Sequence, residues 1–294
     1  MYGDHPMTSS ADIVIINYND KLHIQRAIES ALNQTWKNTK VIMVDDGSDS
    51  ETRELYKKYE GQIELIQLER EDKKSRTPSR ARNAGIEKAN SDFICFLDSD
   101  NYYESGFIEN LIKLDKDFQF CNWEIVGLEN YKVHIEQIYK GNDFLRNYLQ
   151  YQHLDHQAIL IKREYLDKVG HYDIKLSRSQ DCDLIARLAL GGGEYYHTGY
   201  KGFVFEKHEE DQTKSIASVY GKTLWTLKNN ISISWLLGML NDPYKILSYN
   251  QAIFDFCNAE DWKVEYNNSD FKTLRKSHLE MLGMELSENV EPKN

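Results

Sequence analysis

The run Phe93-Ile94-Cys95-Phe96-Leu97-Asp98-Ser99-Asp100-Asn101-Tyr102-Tyr103 carries five apolar residues without a break into two carboxylates spaced by one residue. An apolar run of this length suits a strand buried on both faces, as in the middle of a parallel sheet covered by helices. Open α/β sheets bind ligands in the crevice outside the carboxyl ends of their strands, and Asp98 and Asp100 stand where this strand gives way to loop. Two hard oxygen donors at that point suggest a divalent cation, with a phosphate beyond it.

The residues before this run alternate in the same way. Ile13-Val14-Ile15-Ile16 is β-branched and ends in Asn17-Tyr18-Asn19-Asp20, a strand followed by turn chemistry. Leu22, Ile24, Ala27, Ile28, Ala31 and Leu32 then recur at helical spacing, with Asn19 or Asp20 available as a cap. Val41-Ile42-Met43-Val44 reads as a second buried strand, ending in Asp45-Asp46-Gly47-Ser48-Asp49. Strand, helix, strand implies a parallel pair with a right-handed crossover. Ser48 or Ser50 can cap a helix over 51–59, and a third strand is expected over 63–68. The charged, aperiodic segment 69–78 is a loop: either simply solvated, or bringing Arg76, Arg80 or Arg82 to anionic phosphate oxygens at the start of a helix over 79–89. Arg80 is placed with the nucleotide-binding candidates.

After Tyr103 the pattern predicts a helix over 106–114 and an antiparallel hairpin over 118–138 turning at Glu129-Asn130, which makes the sheet mixed. A short helix over 144–151, a strand over 156–162 and a helix over 164–169 ended by Gly170 follow. Ser179 can cap a helix with Leu184, Ile185 and Leu188 on one face; Asp181 falls in its first turn, where the helix dipole favours a carboxylate. Gly191-Gly192-Gly193 ends that helix, and a strand over 195–205 follows. From about residue 215 to 286 the spacing turns loosely helical. The expected division is a disordered leader over 1–10, an α/β domain over 11–214 and a helical extension over 215–294.

Composition limits the class. With 294 residues, 40% hydrophobic and 28% charged, and no apolar run near the roughly 20 residues a membrane span needs, the chain reads as a soluble globular protein. Its formal charge of -11 argues against general nucleic-acid binding. It also disfavours strong attraction of the whole chain to anionic lipid, leaving a local membrane or oligomer contact to the C-terminal helices. Four widely spaced cysteines without a C-x-x-C pair read as reduced thiols of a cytosolic protein, and residues 1–10 lack the regions of a signal peptide.

Five stretches, IINYN, QTWKNTKVIMVDDGSDS, SRARNAGIEKANSDFICFLDSDN, VGHYD and QDCDLIARL, resemble in order and interval the inverting glycosyltransferases of GT-A fold family 2, over about Asp12 to His208. The resemblance implies a GT-A, Rossmann-like mixed sheet flanked by helices. It implies a nucleotide-sugar donor, expected to be a UDP-sugar, and as acceptor a glycan or glycoconjugate of the bacterial surface. Asn17, Tyr18 and Asp46 would line the base and ribose pocket, Asp98 would face ribose and metal, and Asp100 would be the main metal ligand. Asp181 would be the general base, with Gln180 where the family places a first acid and Asp183 as the alternative base. His208 would complete the metal shell, and an imidazole ligand favours Mn²⁺ over Mg²⁺. The chemistry is coherent: a cation stabilises the departing diphosphate, and a carboxylate takes the acceptor proton. Two other classes also place carboxylates this way. Haloacid-dehalogenase-like phosphotransferases carry D-x-D after a buried strand, but near the chain start, whereas three strands precede it here. A nucleotide-binding module without catalysis is the other, with Gln180 as its hint.

Overall fold

The computed structural model describes residues 9–69, 78–127, 134–135, 154–174 and 180–207. These form one mixed sheet in the order β3-β2-β1-β4-β8-β6-β9-β5, with β7 paired to β6. Its strands are β1 Ala11–Asn17, β2 Thr39–Asp45, β3 Glu64–Gln67, β4 Phe93–Asp98, β5 Tyr102–Tyr103, β6 Phe118–Val126, β7 His134–Ile135, β8 Ile159–Lys162 and β9 Tyr195–Glu206. The helices are α1 Ile24–Leu32, α2 Ser50–Tyr56, α3 Pro78–Lys88, α4 Phe107–Ile112, α5 Arg163–Val169 and α6 Gln180–Leu190, with 3-10 turns at Lys57–Tyr59 and His156–Ala158.

The β4 run behaves as its composition requires. Phe93 to Leu97 are all buried, between parallel β1 and antiparallel β8. β1 pairs with β2 on one side and β4 on the other, both parallel, so Asn17 lies opposite Asp45 and Ile16 opposite Asp98. The chain runs outward through β2 and β3 and then returns to the other side of β1. The strand order therefore reverses between β1 and β4, where such sheets open a crevice. Beyond β4 the sheet turns mixed through β8, antiparallel to both β4 and β6, and through the β6–β7 pair.

α3 reaches β1 through a glycine. A Cβ on Gly85 would stand 2.3 Å from Val14 Cγ1, so only glycine lets the helix sit this close to the strand. The α2 cap is Asp49, between the two serines the sequence offered: its carboxylate accepts from the Thr52 amide at 2.8 Å. Before α1, Asp20 accepts from the Leu22 and His23 amides, while the helix's own cap residue, His23, makes no side-chain cap bond. Residues 156–158 form a 3-10 turn before β8, where the sequence reading ran the strand back to His156. Ser9 and Ser10, counted with the leader, are fastened to the sheet: Ser10 donates to Asp92, and Trp36 donates to the Ser9 carbonyl. The Glu129-Asn130 turn, the 144–151 helix, Arg76 and the 215–294 extension lie outside the described residues. No helix among the described residues is long and apolar enough to cross a membrane.

Candidate active site

The crevice at the strand reversal is a cleft of about 410 Å³. Ile16, Asn17 and Tyr18 line it from the end of β1, Asp46 from the end of β2, Pro78, Ala81 and Arg82 from α3, and Asp98, Ser99 and Asp100 from the end of β4. Six residues singled out in the sequence, Asn17, Tyr18, Asp46, Arg82, Asp98 and Asp100, thus share one cavity.

The two neighbouring aspartates after β2 have different surroundings. Asp45 is fully buried and its carboxylate is held by Arg53 Nε at 2.8 Å, the Ser48 amide at 3.1 Å and the Tyr56 hydroxyl at 3.2 Å. Burial and that carboxylate push the Tyr56 hydroxyl above its ordinary pKa. Asn17 donates to the same hydroxyl at 2.8 Å and accepts from the Asp20 amide, so its side chain shapes the cleft wall. Asp46 faces the cleft. Arg80, at the rim, donates to the Glu69 carbonyl and comes to 4.0 Å from Asp46.

Arg82 lies beneath the cleft. Its Nη2 donates to Asp98 Oδ1 at 2.7 Å, and its guanidinium lies 5.2 Å from the Tyr172 ring centre. Burial opposes its charge, but Asp98, then Tyr172 and Asp181, outweigh that and raise its pKa above the usual guanidinium range. Its Nε and Nη1 have no hydrogen-bond partner among the described residues. A buried arginine with donors to spare beside a carboxylate-lined cleft is suited to anionic oxygens.

The β4 end is fixed from behind by Gln157, whose Oε1 accepts the Asp98 amide at 2.8 Å and Asn101 Nδ2 at 3.2 Å. Asn101 also donates to Asp100 Oδ1 at 2.9 Å and accepts the Glu206 amide at 2.9 Å. Arg26 donates to the Asp100 carbonyl at 3.0 Å and pairs with the Glu206 carboxylate. The end of β9 is thereby tied to Asp100, two residues before His208, which itself lies outside the described residues.

The acidic pair on α6 separates clearly. Asp183 is fully buried, with Oδ2 bound to Arg187 Nε at 2.9 Å and Nη2 at 2.8 Å. Asp181 is half-buried and close enough to Arg82 to act on its charge. Asp155 and His156 also have structural partners. Asp155 caps the 3-10 turn through the Gln157 amide, and although burial would raise its pKa, His156, 3.3 Å away, helps hold it below the ordinary value.

Among the described residues no group of three or more His, Cys, Asp or Glu side chains is gathered as a metal site. The donor chemistry of Asp98 and Asp100 nevertheless fits a hard divalent cation, since both are carboxylate residues that line the cleft.

Residues 12–170 match the family model described as glycosyl transferase family 2. This chain belongs to that family. The family 2 chain is 27% identical over 264 residues to the minor teichoic acid biosynthesis protein GgaA of Bacillus subtilis, covering 82% of this chain and 57% of the relative. It is 37% identical over 105 residues to the poly(ribitol-phosphate) beta-N-acetylglucosaminyltransferase TarP of Staphylococcus aureus, covering 34% and 31%. The chain spans less than two thirds of the length of the curated relatives it matches. Among solved structures, S. aureus TarS 1-349 in complex with UDP-GlcNAc superposes with a TM-score of 0.64 at 15% identity, covering 93% of this chain and 80% of that one. That likeness establishes the GT-A fold.

Gln157 of this family 2 site escaped the sequence reading, and Tyr172 entered it only within the VGHYD stretch, with no role given. Neither shows its role locally, because their partners are remote in sequence. Of the three arginines the sequence offered for phosphate, Arg82 carried a local signal: it lies three residues before Gly85, on the helix face that meets β1, whereas Arg80 is turned off that face.

Proposed function

We propose that this chain is a metal-dependent inverting glycosyltransferase that moves a sugar from a UDP-sugar to a hydroxyl of a bacterial surface glycopolymer on the cytoplasmic side. The observation that carries this reading is the cleft at the β1–β4 reversal, where Asp46, Asp98 and Asp100 meet over a buried arginine. The chemistry in the names of the relatives supports UDP-GlcNAc as the first donor to test and a teichoic-acid-type polymer as the first acceptor.

In this reading Tyr18 and Asp46 contact the nucleoside, with Arg80 at the rim, and Asn17 holds the wall they stand on. Asp98 and Asp100, joined by His208, hold Mn²⁺ or Mg²⁺. Such a cation acts as a Lewis acid on the departing diphosphate. The path of the chain favours His208 for this role, since β9 ends tied to Asp100 through Asn101 and Arg26. Arg82 holds the Asp98 carboxylate in place through its Nη2 hydrogen bond. Asp181 takes the proton of the acceptor hydroxyl as its oxygen bonds to the anomeric carbon and the bond to the phosphate oxygen breaks on the opposite face. One displacement with one base inverts the anomeric centre. Asp183 is committed to Arg187, which favours Asp181 as that base.

The test is transfer by the full chain from UDP-GlcNAc and other nucleotide sugars, with Mn²⁺ and a teichoic-acid acceptor, reading UDP release and the anomeric configuration of the product. Asp181→Asn is expected to abolish transfer and to bind UDP as before. Normal transfer by that variant would contradict the base assignment.

A further inference from the structure

Arg187 does more than neutralise Asp183. Its Nη1 donates to the carbonyls of Val169, at 3.0 Å, and of Gly170, and its Nη2 donates to the carbonyl of His171 at 2.8 Å. Three successive carbonyls are thus gripped by one guanidinium that is itself fixed by a buried carboxylate. The grip begins at the last residue of α5, where helical carbonyls lack intrahelical partners, and passes over Gly170, whose φ of 89° turns the chain sharply.

The same segment is fastened on its other side to α3. The Tyr172 amide donates to Asn83 Oδ1 at 3.0 Å, and Asn83 Nδ2 donates to the Tyr172 carbonyl at 2.8 Å. Ser79 Oγ donates to the Asp173 carbonyl at 3.0 Å. The Tyr172 ring meets Phe96 of β4 edge-on at 5.0 Å and lies beside the Arg82 guanidinium. Residues 169–173 therefore join the helix that carries Asp181 to the helix that carries Arg82, and through Arg82 to Asp98.

We propose that Arg187 is a positioning residue for sugar transfer, fixing Asp181 relative to the donor held at Asp98. The inference rests on the reading of those two aspartates given above. A displacement of about 1 Å between reacting groups can cost about 10²-fold in rate while leaving binding of either substrate alone nearly untouched. A capping arginine with no such role would affect stability and the fraction of folded protein, but not turnover per folded site.

Arg187→Lys retains the charge opposite Asp183 but cannot span three carbonyls. Asn83→Ala removes two of the three hydrogen bonds that fasten the segment to α3, without touching α6. Both are made in the full chain, and active sites are counted by UDP titration with Mn²⁺. Each variant is expected to keep its UDP affinity and donor KM within about threefold, while kcat per UDP-binding site falls by about tenfold or more. Arg187→Lys with wild-type kcat per site would overturn the proposal, as would a loss of UDP affinity parallel to the loss of kcat. If Arg187→Lys does not fold, Asn83→Ala decides by the same two readouts. Wild-type protein that binds no UDP would overturn the functional reading itself, and the positioning role with it.

Discussion

Arg82 donates its Nη2 to Asp98 Oδ1 at 2.7 Å from a side chain that is 5% exposed, joining the third helix to the end of the central strand. Removing one partner of a buried pair leaves the other uncompensated, at a typical cost of 3–5 kcal/mol for fully buried pairs. Asp98 is 30% exposed, and water can relieve part of that cost. Arg82→Met is therefore expected to destabilise the protein by about 2–3 kcal/mol and to weaken UDP binding, as measured by urea unfolding and calorimetry. Unchanged stability and affinity together would show that the pair holds nothing in place.

Asp181 and Asp183 are two residues apart, and their variants should behave oppositely. Asp183→Asn breaks a buried pair with Arg187 and is expected to cost about 3 kcal/mol in urea unfolding. Asp181→Asn, at a half-buried position, is expected to stay within about 0.5 kcal/mol of wild type while losing transfer.

Gly85 sets how closely α3 approaches β1. Gly85→Ala places a methyl against Val14 and is expected to destabilise by about 1–3 kcal/mol, although alanine gains up to about 1 kcal/mol in helix propensity. Adding Val14→Ala should recover part of the loss, because the added carbon then occupies the space of the lost ones. Thermal unfolding of the two single variants and the pair tests this; strict additivity would contradict the contact.

His197 gives the fold one source of acid sensitivity. It stacks on Phe120 at 4.8 Å, with Nε2 2.6 Å from Asn122 Oδ1, and burial lowers its pKa from 6.5 to about 4. The unfolded chain therefore takes up this proton first as pH falls. The contribution of neutral His197 is complete above pH 6.5, declines below it and is lost as pH passes through about 4. Between pH 7 and pH 4.5, wild type should lose more of its unfolding midpoint than His197→Gln does. Equal losses would mean that the histidine is not desolvated.

Much of this was legible in the sequence because the signals were local. The apolar run from Phe93 to Leu97 has one low-energy place, between strands, and the carboxylates after it fall at the strand end wherever the rest of the chain goes. Asn17, Asp46, Asp98 and Asp100 converge because parallel pairing in register aligns the strand ends. Alternation alone did not show that β8, not β6, neighbours β4, since pairing partners are chosen by packing across long separations. Nor did it separate Asp181 from Asp183: both lie in the first turn of one helix, and what differs is that Asp183 is fully buried against Arg187 while Asp181 is half-buried. Asp49 caps α2 rather than either serine because the turn at Gly47, with φ of 79°, brings its carboxylate to the Thr52 amide.

The central claim is that the β1–β4 cleft holds a nucleoside diphosphate through a cation on Asp98 and Asp100. Calorimetric titration of UDP into the full chain, with and without Mn²⁺, for wild type and Asp100→Ala, tests it most directly. The account predicts one UDP per chain, bound more tightly with Mn²⁺ in wild type, and no such tightening in Asp100→Ala. Absence of UDP binding by wild type in Mn²⁺, or an equal Mn²⁺ effect in both proteins, would contradict it.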